Sequence, residues 1–358
     1  MLRRVLVAVV VLFAAASTTA SAKVPAGWVG MLAEPPIFDK AVKLDRELRT
    51  MHSARVGTVR IAFYGWESEG TKGAPIDLSR SDDLILASAK RGLRVLPVLV
   101  GSPAWARQDP QVDFSAPTAE GRFAYSLLCT AFVQRYGPEG TLWKEHPEVT
   151  PVPVRAYQIW NEPNGERFWH ETPRLPAYAK LLEGAYSTIK AADPSAQVIL
   201  AGFPGDGSVP IERLYELGAG DSFDAVASHP FTFKVENVKV LLERIHRTLV
   251  AHKDVDKPIY VTELSWPSAY GKTKHPYGFE VTEAEQAVKV RQAYTMLAEQ
   301  RKRLHIAGAY WSSWITADRP ATYSFHYAGL RRLNRDGTVT AKPAYRAFVK
   351  VIRKISGA

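Results

Sequence analysis

The chain alternates between short apolar runs and longer amphipathic segments, and the alternation repeats eight times. Parallel strands that are buried on both faces have this composition, because apolar residues then occupy consecutive positions rather than every second one. The eight predicted strands are WVGML from Trp28, TVRIAFY from Thr58, LRVLPVLVG from Leu93, VRAYQIW from Val154, AQVILAG from Ala196, FDAVASH from Phe223, PIYVTEL from Pro258 and IAGAYWSSW from Ile306.

The segments between the strands have helical periodicity. The predicted helices cover residues 39–53, 81–91, 118–136, 175–192, 210–217, 235–253, 282–303 and 344–355. Ser81, Thr118 and Thr282 are suited to cap helix N-termini, and Gly92 and Gly137 are suited to end helices. Eight strand–helix units predict an α/β fold, a single (β/α)8 TIM barrel. A doubly wound open sheet is the alternative, but no G-x-G-x-x-G motif follows the first strand.

Residues 1–22 have the pattern of a secretory signal peptide. Arg3 and Arg4 precede an apolar run, and Ala20-Ser21-Ala22 forms a small-x-small cleavage signature. The run is too short to span a bilayer comfortably, which favours a cleaved signal over an uncleaved anchor. We therefore expect a secreted, extracellular protein whose residues 23–358 form one catalytic barrel domain.

Composition narrows the classes of partner. Cys129 is the only cysteine, which excludes an intrachain disulfide, and its apolar surroundings predict a buried thiol. The nine histidines show no H-E-x-x-H spacing, so neither a metal nor another cofactor is expected. The net charge of +10 favours an acidic glycan or an anionic cell surface. No nucleic-acid-binding module is recognisable, and we expect a monomer without stable membrane insertion after signal cleavage.

Polar residues interrupt the predicted strands at or near their carboxyl ends, which meet at one face of a barrel. They are Arg60 in strand 2, Asn161 and Glu162 after strand 4, His229 after strand 6 and Glu263 in strand 7. An unpaired charge in such surroundings would destabilise the fold. Two converging carboxylates indicate cleavage of a glycosidic bond, with one carboxyl protonated as the acid and the other ionised.

Tryptophans are concentrated near the same strand ends. Sugars pack their C–H faces against aromatic rings, so the cluster predicts a carbohydrate-binding groove, although any single tryptophan could instead belong to the core. The tryptophans concerned are Trp66, Trp105, Trp160, Trp169, Trp266, Trp311 and Trp314.

The motifs WNEP, SHPF and VTELSWPS, on predicted strands 4, 6 and 7, together with the tryptophan-rich strand 8, resemble glycoside hydrolase clan A. These are retaining TIM-barrel glycosidases, and the chain is most like family 39 and related secreted bacterial endoglycosidases. The resemblance implies that Glu162 is the general acid/base and Glu263 the nucleophile of a double displacement. It further implies that Arg60 lies near the nucleophile and that Asn161 contacts the 2-hydroxyl.

The resemblance also implies substrate-binding roles for His229 and the strand 8 tryptophans, Trp311 and Trp314, and we place Trp105 in the same groove. One departure concerns Phe231, since many clan members have a tyrosine there that donates a hydrogen bond to the nucleophile. Tyr310 or Tyr64 would have to replace it. Two further functions use the same residues: a noncatalytic carbohydrate-binding barrel and a transglycosylase, which transfers the sugar to an acceptor instead of water.

Overall fold

The computed structural model describes residues 23–68, 70–319 and 323–357, so the predicted signal peptide lies outside the described residues. Eight strands form a closed barrel in the order β1 to β8, and each pairs in parallel with the next. This confirms the predicted TIM barrel. The strands are Val29–Ala33 (β1), Thr58–Tyr64 (β2), Arg94–Val100 (β3), Ala156–Ile159 (β4), Gln197–Pro204 (β5), Ala225–His229 (β6), Ile259–Leu264 (β7) and Ile306–Trp311 (β8).

Helices follow the strands and cover the outside of the barrel. All eight predicted amphipathic segments form helices, and two short helices, α2 and α5, add to them. The helices are Leu44–Ser53 (α1), Gly65–Ser68 (α2), Ser79–Ala89 (α3), Ala119–Tyr136 (α4), Thr141–Glu145 (α5), Arg174–Ala192 (α6), Ser208–Glu216 (α7), Val235–Ala251 (α8), Glu283–Gln300 (α9) and Pro343–Ser356 (α10).

Two of the three predicted helix caps are confirmed. The Thr118 hydroxyl accepts a hydrogen bond from the Gly121 amide at 3.0 Å, and Thr282 forms a reciprocal capping box with Glu285. The prediction that Ser81 caps α3 is wrong, because that helix begins two residues earlier. The side chain of Asp77 accepts a hydrogen bond from the amide of Ser79 at 2.9 Å and so satisfies a free donor of the first turn.

The barrel interior is packed with side chains and is not a pore. Leu96, Ile199 and Ala225 meet there around the ring of Tyr310, which is buried. Gly30, on the neighbouring strand β1, gives this ring its space, because a Cβ at that position would lie 2.1 Å from Cδ1 of Tyr310. The interior below the strand ends is therefore closed, and a ligand can enter only from the rim.

A small sheet that the sequence patterns did not predict follows β8. It consists of Ile315–Thr316 (β9), Arg331–Leu333 (β10) and Val339–Ala341 (β11), with β10 in the middle. Cys129 in α4 is buried, as predicted, and burial raises the pKa of its thiol well above the usual range. Within the described ranges, no helix combines the length and the apolar character needed to cross a membrane.

Candidate active site

A cavity of about 390 Å³ opens at the carboxyl ends of the barrel strands. This is the face on which TIM-barrel sites are built, because side chains from many strands meet there. Its polar lining includes two guanidinium groups, three carboxyl groups, an amide and a hydroxyl. These residues are Glu34, Arg60, Asn161, Glu162, Arg167, Glu263 and Ser312.

Arg60 joins three strands beneath this cavity. Its Nη1 atom lies 2.8 Å from Oε1 of Glu263, and its Nη2 donates to Oδ1 of Asn161 at 2.7 Å. The remaining donor, Nε, bonds Oε1 of Gln158 at 2.7 Å. The guanidinium is almost fully buried, and every side of it has an acceptor. Arg60 therefore holds Glu263 and Asn161 in fixed orientations relative to each other.

The charge state of Glu263 follows from these contacts. Burial by itself raises the pKa of this carboxyl, but its electrostatic interactions with His229 and Arg60 and its hydrogen bond to Arg60 outweigh burial and hold the pKa below its usual value. Glu263 is therefore ionised at neutral pH. An ionised carboxylate that faces a cavity is the form required of a nucleophile.

Glu162 reaches the cavity from a strained turn after β4. Trp160 has φ +68° and Glu162 has φ +43°, a left-handed conformation that non-glycine residues seldom adopt. The amide of Glu162 donates to the carbonyl of Gly202 at 3.2 Å, which ties the turn to β5. Oε1 of Glu162 lies 2.6 Å from Nδ1 of His229. The turn thus aims the carboxyl at the barrel axis instead of at solvent.

His229 lies underneath both carboxylates. Its Nε2 atom is 3.6 Å from Oε1 of Glu263, and its side chain is completely buried. The ring fits only because residue 202 is glycine, since a Cβ there would lie 2.0 Å from Nε2. His229 lies behind the cavity wall, and its predicted contact with a sugar remains a prediction. It positions Glu162 and Glu263 from behind.

The carboxyl groups of Glu162 and Glu263 are close together. One oxygen of each and a ring nitrogen of His229 all lie within 4.8 Å of one another. By spacing alone these three atoms could hold a divalent cation. However, Arg60 already places a positive charge 2.8 Å from Glu263, and this charge opposes the binding of a second cation there. The arrangement fits acid and nucleophile chemistry better than metal binding.

The two strand 8 tryptophans that the sequence placed in a carbohydrate groove do not line this cavity. Trp311 and Trp314 are both 0% exposed and lie outside the cavity wall. Their indole N–H groups bond the carbonyl of Ala328 at 3.0 Å and Oε2 of Glu47 at 2.9 Å. Trp105 is half-buried and does not line the cavity either. Both faces of a barrel strand are buried, so an apolar ring fits the helix-facing side as well as the rim.

Phenylalanine and tyrosine line the cavity instead. Phe231, after β6, packs its ring 4.8 Å from that of Phe325 and stacks on Phe279 at 6.2 Å. Tyr277 and Tyr323 extend the same wall, which comes from the loops after β6, β7 and β8. The sequence feature that could have indicated this wall is the density of aromatic residues in HPFTF, HPYGFE and YSFHY.

The two tyrosines expected to replace the missing hydroxyl at position 231 lie in different places. Tyr64 lines the cavity and stacks on Trp66 at 4.6 Å, whereas Tyr310 fills the barrel interior. Tyr310 is therefore excluded from contact with a substrate.

Glu34 is a site residue that the sequence analysis missed. It follows β1 directly and lies on the cavity wall, where it is accessible to solvent through the opening. The surrounding protein disfavours its charged form, and the negative charge of Glu263 adds to this, so that the pKa of Glu34 rises to about 7. The sequence signal was the same as for Glu162: a carboxylate immediately after an apolar strand, in MLAEPP.

The fold is shared with solved glycoside hydrolases. A family 39 glycoside hydrolase from Bacteroides cellulosilyticus WH2 has 21% identity and a TM-score of 0.66; the match covers 91% of this chain and only 63% of that one. A monomeric beta-xylosidase from Caulobacter crescentus CB15 has 19% identity and a TM-score of 0.66, over 92% of this chain and 69% of that one. The GH53 catalytic domain of Ignisphaera aggregans has 20% identity and a TM-score of 0.61, over 92% and 97%.

No family model matches the chain, and no curated protein sequence matches it. At this level of identity the likenesses show the fold. It is the fold of family 39 and related clan A enzymes, as the motifs in the sequence predicted.

Proposed function

We propose that the protein is a retaining glycoside hydrolase in which Glu162 is the general acid/base and Glu263 the nucleophile. The observation that carries the proposal is the approach of the two carboxylates, with an oxygen of each within 4.8 Å of the other. Retaining glycosidases place these groups about 5–5.5 Å apart, whereas inverting enzymes need about 6.5–9.5 Å to fit a water between carboxylate and sugar.

In the first step, the ionised Glu263 attacks the anomeric carbon while Glu162 transfers its proton to the departing oxygen. The bond to the leaving group breaks as a bond from carbon to Glu263 forms. His229 contacts Oε1 of Glu162, so the other oxygen is free to carry the transferred proton. Asn161, oriented by Arg60, lies beside Glu162 and can bond a sugar hydroxyl as positive charge develops on the ring.

In the second step, the ionised Glu162 accepts a proton from water, and the water oxygen displaces Glu263 from the anomeric carbon. Two inversions give net retention. Glu263 leaves readily as a carboxylate because Arg60 and His229 stabilise its negative charge. The same intermediate would react with a sugar acceptor in a transglycosylase, so the residues present are compatible with both outcomes.

The substrate proposed is an O-glycosidic bond of an oligosaccharide or polysaccharide. The phenylalanine and tyrosine side chains of the cavity wall support a carbohydrate substrate, because flat aromatic rings pack against sugar C–H faces. We also propose that the protein is secreted and acts as a monomer. The pattern of residues 1–22 supports secretion, and the description of one structural neighbour as monomeric supports the oligomeric state.

The decisive test combines substrate screening with product stereochemistry. Aryl glycosides and defined polysaccharides are assayed with the wild type, Glu162→Gln and a control, Glu166→Gln, whose solvent-exposed side chain lies in the same loop. We expect NMR to detect the retained anomer first. Glu162→Gln should lower kcat by about 10²–10⁴-fold on unactivated substrates, and azide should restore turnover of dinitrophenyl glycosides.

Three results would contradict the proposal or change its class. An inverted first product would exclude double displacement, and binding without release of reducing sugar would indicate a noncatalytic binding barrel. Longer products at high acceptor concentration would identify a transglycosylase. Glu166→Gln should match the wild type throughout, because its side chain is not on the cavity wall.

A further inference from the structure

The backbone of Glu34 is held rigidly at the edge of the cavity. Pro35 and Pro36 follow it, and a proline ring restricts φ to a narrow range. The carbonyl of Glu34 accepts a hydrogen bond from the amide of Ile37 at 3.1 Å, and the Ile37 side chain is fully buried. The carboxyl of Glu34 is thus presented to the cavity on a short, fixed turn, as a pre-organised binding group requires.

Glu34 has no ionic partner to explain its position. The charged and polar groups near it are Glu263 on β7, Arg60 and Tyr64 on β2, Arg167 in the loop after β4 and Ser313 after β8. Among the described residues, no cation lies within 4.0 Å of its carboxylate. Arg60 is already committed to Glu263. The carboxyl therefore bears repulsion from Glu263 without an ion pair in return, so no contact within the protein accounts for a carboxyl at this position on the cavity wall.

The strand order shows which part of a substrate Glu34 would contact. In the closed barrel, β1 lies between β8 and β2, two strands from the Glu263 strand β7 and three from β4, which precedes Glu162. The sugar that becomes bonded to Glu263 during a double displacement is the glycone, the unit whose anomeric carbon reacts. Its hydroxyl groups must lie on the side of the cavity that Glu263, Glu34 and Arg60 form.

We propose that Glu34 is a specificity-determining residue that accepts hydrogen bonds from hydroxyl groups of a neutral glycone and disfavours a uronic acid in that position. The inference rests on the proposed glycosidase function. A carboxylate has two acceptor oxygens and can bond two neighbouring hydroxyls at once. A glycone that carried its own carboxylate would meet the negative charges of both Glu263 and Glu34.

Kinetics with 2,4-dinitrophenyl glycosides test this role. The series contains xylose, glucose, galactose, mannose and glucuronic acid, assayed with the wild type, Glu34→Gln, Glu34→Ala and the control Glu166→Gln. For the best neutral glycoside, Glu34→Ala should lower kcat/KM by about 10–100-fold, the loss typical of a hydrogen bond to a charged group. At pH 8, above the pKa of Glu34, Glu34→Gln should raise the ratio of kcat/KM for glucuronide over glucoside by about tenfold, since it removes one negative charge.

Stability against pH separates a binding role from a structural one. The native pKa of Glu34, about 7, lies above the ordinary value of 4.5. As pH rises through this interval, the unfolded chain releases the proton while the native protein retains it, so the wild type loses stability. Glu34→Gln lacks this loss. Its urea midpoint relative to the wild type should therefore be higher at pH 8 than at pH 4, whereas removal of a structural carboxylate would lower it.

The outcomes distinguish this inference from the proposed function. If the wild type hydrolyses a glycoside and Glu162→Gln loses activity, but Glu34→Ala stays within about twofold of the wild type on every sugar, only the role of Glu34 is overturned. If the wild type hydrolyses none of the glycosides or polysaccharides, both proposals fail. A Glu34→Gln variant that is destabilised at pH 8 would also contradict the inference.

Discussion

Two of the regions in which the described residues bury charged groups differ in one respect: only one of the two borders the cavity. The first is the cavity site around Arg60 and Glu263. The second, which we term the β8 network, lies behind strand β8 and consists of Glu47, Arg331, Asp318 and Lys342. There, Nε of Arg331 lies 2.9 Å from Oε2 of Glu47, and Nζ of Lys342 lies 3.0 Å from Oδ2 of Asp318.

In the β8 network the buried charges have protein partners. Lys342 bonds the Ser268 hydroxyl at 2.8 Å and the Tyr327 carbonyl at 2.9 Å in addition to Asp318. Glu47 accepts from the Trp314 indole as well as pairing with Arg331. The network thereby attaches the loop after β8 and the small sheet to the barrel. It holds chain segments together, and none of its four residues lines the cavity.

In the cavity site, the charged groups on the side open to the cavity do not all have protein partners. Arg60 is fully bonded, but the carboxyl groups of Glu34, Glu162 and Glu263 all reach the cavity wall. The difference teaches that a buried charge is a weak sign of function by itself. A buried charge that also faces a cavity, with a second carboxyl within reach, is a strong one.

The largest expected effect is on activity in the cavity site. Glu263→Gln should lower kcat by about 10⁴-fold or more, because an amide cannot replace the carboxylate that attacks the anomeric carbon. Its free energy of unfolding should fall by less than in Glu47→Gln, because Arg60 keeps its bonds to Gln158 and Asn161 and because the loss of Glu263 also removes its repulsion of Glu34. Kinetics and urea denaturation measure the two quantities. A large loss of stability would erase the contrast with the β8 network.

In the β8 network, by contrast, we expect a large loss of stability and little loss of activity. Glu47→Gln should reduce the free energy of unfolding by about 3–5 kcal/mol, because the charge of Arg331 is left buried without a counter-charge. Turnover per folded molecule should change little. The control is Asp45→Asn on the same helix, whose solvent-exposed carboxylate pairs with Arg49 and Arg91, so that its loss should change the free energy of unfolding far less. Adding Arg331→Met to Glu47→Gln should recover stability, and failure to do so would contradict the assignment.

A smaller effect, on both stability and kcat, is expected at Gly202, where the cavity site depends on close packing. Gly202→Ala places a methyl group 2.0 Å from Nε2 of His229, so the imidazole must move away from Glu162 and Glu263. We expect a loss of about 1–3 kcal/mol in stability from overpacking and a further drop in kcat. Gly165→Ala is the matched control, because its Cβ would meet only the Glu162 carbonyl at 3.7 Å. Equal behaviour of the two variants would show that His229 positions neither carboxylate.

Much of this comparison could be predicted from the order of residues alone. The eight apolar runs predicted eight strands, and a closed parallel barrel brings their carboxyl ends to one rim whatever lies between them. Arg60, Asn161, Glu162 and Glu263 were therefore recognisable as neighbours although more than 200 residues separate the first from the last. The same argument applied equally to Glu34, the carboxylate after the first strand.

What the sequence determined by itself was the alternation of strand and helix, and with it the rim to which strand-end side chains belong. Only the tertiary structure decided which way each buried side chain points. Trp311 and Trp314 face helices and the β8 network, whereas the phenylalanines of distant loops form the cavity wall. The physical reason is that both faces of a parallel barrel strand exclude water, so hydrophobicity distinguishes buried from exposed but not core from cavity.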